Sequence, residues 1–146
     1  MTETDQTPLL ILQNWFSPAF PIGAFSYSSG LETAIHRGDV DGRASLASWL
    51  TISMLHGTAF TDAVFLRAAM ADEDVNDLCL ALCAGAERHR ETTELGAAFI
   101  SVMRQTQAIS LPPSLAYPVA IGMTARQLNL QPCLLYTSDA ADDTPC

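Results

Sequence analysis

The chain contains no lysine, and its seven arginines stand against sixteen aspartates and glutamates, giving a net charge of −9 over 146 residues. This deficit of positive charge argues against nucleic acid and anionic membrane surfaces as partners, since both are held by basic patches. A P-loop nucleotide site is excluded as well, because its Gly-rich loop needs a lysine at the phosphates. No run approaches the ~20 apolar residues of a membrane span. The opening Met-Thr-Glu-Thr-Asp also lacks the basic start of a secretory signal, so the cytoplasm is the expected compartment. Charged residues of both signs amount to only 16%, against 49% hydrophobic. Such an apolar surplus in a small domain predicts surface that a partner protein covers.

A chain of 146 residues fits one domain that buries about two-thirds of its unfolded surface, enough for a core without metal or disulfide. Period-2 alternation is not sustained anywhere; the apolar spacing is helical. Leu9, Leu10, Leu12 and Trp15 mark a first helix ending before Ser17-Pro18. Leu31, Ala34 and Ile35 mark a second, closed by Gly38 after Arg37. Leu46, Trp49, Leu50, Ser53, Met54 and His56 fit a third, with Asp41 or Arg43 near its start. A fourth carries Phe60, Val64, Phe65 and Ala68. The acidic turn Asp72-Glu73-Asp74 is expected to cap a fifth with the face Val75, Leu78, Cys79, Leu82, Cys83 and Ala86. Glu91, Leu95, Ala98, Phe99, Val102 and Met103 mark a sixth, ended by Pro112-Pro113. A last helix starts near Pro118, where a missing N–H costs nothing, and runs to Leu128. The predicted fold is all-α, a compact orthogonal bundle of about seven helices. Gly96 and Gly122 fall inside helices at about 1 kcal/mol each against alanine, which predicts close helix approach at both.

The chemically tempting residues have plainer readings. Cys79 and Cys83, one helical turn apart, could offer two thiolates to zinc, but no second pair at ligand spacing follows. Free cysteines on an apolar face are usually small core residues. His36, His56 and His89 are scattered: His36 and His89 suit exposed helix ends, and His56 suits an inner face. Ser26, Ser28 and Ser29 lack the Gly-x-Ser-x-Gly frame and a preceding strand, so capping is the stronger account. No catalytic or metal residue is assigned, and no cofactor is expected on this chain.

The most informative run is residues 17–32, Ser-Pro-Ala-Phe-Pro-Ile-Gly-Ala-Phe-Ser-Tyr-Ser-Ser-Gly-Leu-Glu. Pro18 and Pro21 push their preceding residues toward extended backbone, Gly23 supplies a turn conformation, and Ser28 or Ser29 can cap a helix with Glu32 in its first turn. The run resembles the signature of the urease accessory protein F family (UreF), matched at Ser17, Pro18, Pro21, Gly23, Phe25, Ser26, Tyr27, Ser28, Gly30, Leu31 and Glu32. Two weaker echoes follow: Arg90-Glu91-Thr92 with Gly96, and Tyr117-Pro118-Val119-Ala120-Ile121-Gly122. The second lacks the family's histidine before the proline, since Ala116 and Tyr117 stand there, and the role of that imidazole does not carry over.

The resemblance, over roughly residues 8–131, implies a non-enzymatic scaffold for urease maturation. It implies a homodimer that joins the D/H-type accessory protein and recruits the G-type GTPase, passing nickel toward apo-urease, with nickel and GTP held by those partners. The matched signature residues are then expected to serve partner recruitment, Glu32 and Tyr27 foremost. A different class of reading is a helical metal- or ligand-sensing module built on Cys79, Cys83 and a histidine. The organisation expected is a flexible N-terminus at 1–7, a helical domain at 8–132, and a closing segment at 133–146. That segment holds Cys133 and Cys146, has no period, and resembles translated adapter sequence, so the chain reads as a C-terminally truncated member.

Overall fold

The computed structural model describes residues 7–23 and 30–131, which form seven helices and no strand. Thr7 opens α1 (Thr7–Trp15), one residue inside the segment expected to be flexible. The others are α2 (Leu31–Arg37), α3 (Arg43–His56), α4 (Thr58–Met70), α5 (Asn76–Ala81), α6 (Ala86–Thr106) and α7 (Tyr117–Gln127). The closing segment lies outside the described residues.

The core is organised around α7, which packs against both α4 and α6. Pro118 sits in its first turn, and Val119, Ala120, Ile121, Gly122, Thr124 and Ala125 are buried around its circumference. Small side chains permit this. At Gly122 an added Cβ would strike the Leu66 carbonyl oxygen and crowd the Ala69 methyl of α4. At Gly96 of α6 it would strike the Leu115 carbonyl oxygen just ahead of α7. Both glycines therefore mark backbone contacts between elements, as their cost within helices predicts. Buried Thr124 returns its hydroxyl hydrogen to the Ala120 carbonyl at 2.8 Å and leaves no orphaned polar group.

Phe99 of α6 is fully buried and gathers the aromatics. Trp15 of α1 meets it edge-on at 5.2 Å between ring centroids, Phe20 at 5.9 Å and Tyr117 at 6.0 Å. Residues 107–116, between α6 and α7, bury Ile109, Leu111 and Leu115 beneath exposed Pro112 and Pro113.

Several faces differ from the periodicity reading. α2 ends on Gly38 (φ 79°), as Arg37-Gly38 predicts, but Ala34 is its buried residue and Ile35 is exposed. α3 buries no residue at all; it packs on α4, and His56, expected inside, is exposed. On α4, Phe65 and Ala69 face the core while Phe60 and Val64 point away. The fifth helix is short. It stops at Ala81 and buries only Cys79, leaving Leu78 and Leu82 exposed, while Ala86 opens α6. The acidic turn does not cap it either, because Val75 takes the N-cap position and Asp72, at φ 68°, reaches Arg126 of α7 at 2.6 Å. At α3 the start is sealed by Ser45, whose hydroxyl accepts the Gly42 N–H at 3.0 Å and donates to the Asp41 carboxylate at 2.9 Å.

Candidate functional site

The signature segment divides into an anchor and an exposed end. Ser17 begins a tight turn in which its hydroxyl accepts the Ala19 N–H at 3.2 Å and its carbonyl accepts the Phe20 N–H at 2.9 Å. Phe20 and Ile22, two residues that the signature leaves unspecified, are the ones buried in the core. Pro18 and Pro21 stay exposed and shape the chain around them. Gly23 has φ +75° and Gly30 φ +87°, and neither has an atom within 4 Å of where a Cβ would stand. Their requirement is thus conformational rather than spatial. Phe25, Ser26, Tyr27 and Ser28 lie outside the described residues, as does the expected cap at Ser29. At the described boundary Gly30 holds the N-cap position of α2, with no side-chain hydrogen bond to that end of the helix. Leu31 is half-buried, whereas Glu32 is exposed in the first turn and lines one shallow surface with Thr33, His36 and Arg37. A carboxylate there complements the helix N-terminus and remains available to a partner.

The two weaker echoes turn out to be one contact. Thr92, fully buried, accepts the Tyr117 N–H on its hydroxyl at 3.1 Å, satisfying an otherwise orphaned donor at the start of α7. One turn later Gly96 admits the Leu115 carbonyl, and Gly122 admits α4 on the far side of α7. Asn76 of α5 closes the arrangement, donating to the Ser114 carbonyl at 3.3 Å and accepting the Ala116 N–H at 2.9 Å. Thr92, Gly96, Gly122 and Asn76 thus tie α4, α5, α6 and α7 together.

A second concavity, of about 270 Å³, lies between the α3–α4 junction, the end of α5 and the start of α6. Its wall includes His56, Asp62, Cys79, Cys83 and Arg88. Arg88 bridges Asp62 of α4 at 2.7 Å and Glu91 on its own helix at 3.0 Å. Burial raises the Asp62 pKa above the usual carboxylate value, with Arg88 opposing it. Burial works against the Arg88 charge, but Asp62 and Glu91 more than offset it, so its pKa is raised. Desolvation pushes the Cys79 thiol up to about 11, with smaller contributions from Asp62 and Cys83. Burial of this kind is the setting of a structural rather than a reactive thiol. Half-buried Cys83 points its sulfur back to the Cys79 carbonyl at 3.6 Å. Among the described residues no three His, Cys, Asp or Glu side chains converge to hold a metal ion. None of the described helices is long and apolar enough to cross a membrane.

Comparison with known proteins bears on the same residues. The UreF family model matches residues 40–137, a span that starts between α2 and α3, takes in α3 to α7 and lies downstream of the signature segment. A protein of Bradyrhizobium sp. (strain BTAi1) named urease accessory protein UreF is 41% identical over 151 residues, covering 92% of this chain and 63% of its own length. A namesake from Rhodopseudomonas palustris (strain HaA2) is 46% identical over 131 residues, covering 78% of this chain and 55% of its own. One from Cereibacter sphaeroides (strain ATH 2.4.9) is 45% identical over 125 residues, covering 84% and 59%. The chain therefore spans less than two-thirds of the length of these relatives. No solved structure matches. With the family model covering most of the chain and the relatives agreeing with it, the chain belongs to the UreF family.

Proposed function

We propose that the chain serves urease maturation as a scaffold that catalyses no reaction itself. In this reading it acts as a homodimer in the cytoplasm, joins the D/H-type accessory protein and recruits the G-type GTPase, so that nickel passes toward apo-urease. Nickel and GTP are carried by the partners. The observation that carries the reading is membership of a family whose relatives are named urease accessory protein. The arrangement of the signature segment supports it: buried Phe20 and Ile22 anchor the turn, and Glu32 stands exposed on α2 beside His36 and Arg37. The runner-up, a sensor at Cys79, Cys83 and a histidine, is disfavoured by the burial of Cys79.

The test is Glu32→Gln, which keeps shape and removes charge, made in a full-length protein. Co-purification with the accessory GTPase and urease activation are expected to fall at least several-fold while the melting temperature stays unchanged. If the variant unfolds, Glu32 is a structural cap. If neither folding nor assembly changes, it is not a contact residue.

A further inference from the structure

The third helix conflicts with its surroundings. Between Ala44 and Leu55 α3 carries no charged side chain, and Leu46, Trp49, Leu50, Ile52, Met54 and Leu55 point to more than one side of it. A helix apolar around its whole circumference is one that is buried on all sides. Here α3 meets α4 and buries none of its residues: Ile52 is 61% exposed, Met54 65% and Leu55 58%. Phe60 and Val64 of α4 are likewise exposed, at 57% and 50%. Single exposed apolar residues are ordinary, but so many on two packed helices mark a surface meant to be covered.

Two properties indicate what covers it. The surface offers little to recognise by charge, so its occupant is apolar, and the flanking helices make amphipathic helix the matching shape. The relatives carry additional polypeptide: the match takes in 63% of the Bradyrhizobium chain and 55% of the Rhodopseudomonas chain. We infer that the α3–α4 face is the seat of helical polypeptide that UreF relatives carry outside the region matched here. This assignment rests on family membership and not on the scaffold reading, so either can fail without the other.

The experiment co-expresses this chain with the unmatched part of the Bradyrhizobium relative as a separate polypeptide, and follows capture, mass in solution and the fluorescence of an apolar-surface dye. The expected result is a one-to-one complex whose dye signal is several-fold below that of the chain alone. Ile52→Asp is expected to abolish capture with unchanged helicity, since the residue touches no core, whereas Leu10→Asp on α1, equally exposed at 60%, is expected to leave capture intact. Absence of capture overturns the inference, and so does capture that survives Ile52→Asp. A chain that dimerises alone, through a contact that Ile52→Asp breaks, gives the face to a second copy and overturns it too.

Discussion

At the scale of single residues, the glycines separate into two physical kinds that one sequence cannot distinguish. Gly122 is needed for space, because the α4 backbone occupies the position of its missing Cβ, while Gly23 is needed for a left-handed backbone in open surroundings. Gly122→Ala is therefore expected to lower unfolding free energy by about 1–3 kcal/mol through forced separation of α4 and α7. Gly23→Ala costs only the left-handed conformation, about 1–2 kcal/mol. Urea denaturation reads both. A stable Gly122→Ala protein would show that the two helices part without loss. Titration is a second residue-scale property. Burial raises the Cys79 pKa to about 11 and the Tyr117 pKa to about 12, where Asp62 adds to the effect. Both folded values lie above the unfolded ones, so each group's contribution is complete below its unfolded pKa and is lost as pH rises through the folded value. Stability is expected to hold through neutral pH and to decline from the unfolded thiol value of 9.0 toward about 12. Tyr117→Phe is expected to make the last part of that decline shallower; an unchanged profile would show that tyrosine ionisation contributes nothing.

Among the elements, the decisive one is the junction of α6 and α7, where Thr92 supplies an acceptor for the Tyr117 N–H. Thr92→Val keeps the shape and orphans that donor, at an expected cost of about 1–3 kcal/mol, whereas Thr92→Ser keeps the hydroxyl and most of the stability. Equal losses in the two variants would assign Thr92 a packing role alone. The junction also shows what the sequence made legible. Pro118 in a first turn, Arg37-Gly38 at a helix end and two costly glycines each follow from local backbone physics, and each stands where the pattern places it. Faces were less legible. In α3, α4 and α5 apolar residues fall on more than one side, so periodicity could not tell which side meets the core, and Phe60, Val64, Leu78 and Leu82 fell on the wrong one. The bonds from Thr92 and Asn76 span 25 and 40 residues of chain, and only tertiary structure reveals such pairings. The signature pattern marked Pro18, Pro21 and Glu32, which are exposed, and left Phe20 and Ile22, the anchors, unremarked.

Taken as a whole molecule, the chain carries a net charge of −9, which attracts divalent cations diffusely. A stoichiometric nickel or zinc site requires deprotonated thiolates and neutral imidazoles converging on one point. In the concavity beside α5, burial of Cys79 opposes its thiolate form. Beside it, no three of the described His, Cys, Asp and Glu side chains converge. Calorimetric titration of the chain with nickel or zinc is thus expected to give only weak heats that vanish as salt screens the surface charge. Stoichiometric binding tighter than micromolar, lost on Cys83→Ala, would make the concavity a metal site after all. Such a result would also change what folding requires there: the Cys79 proton would be released on binding, so affinity would climb with pH, and that climb would separate a thiolate site from diffuse attraction.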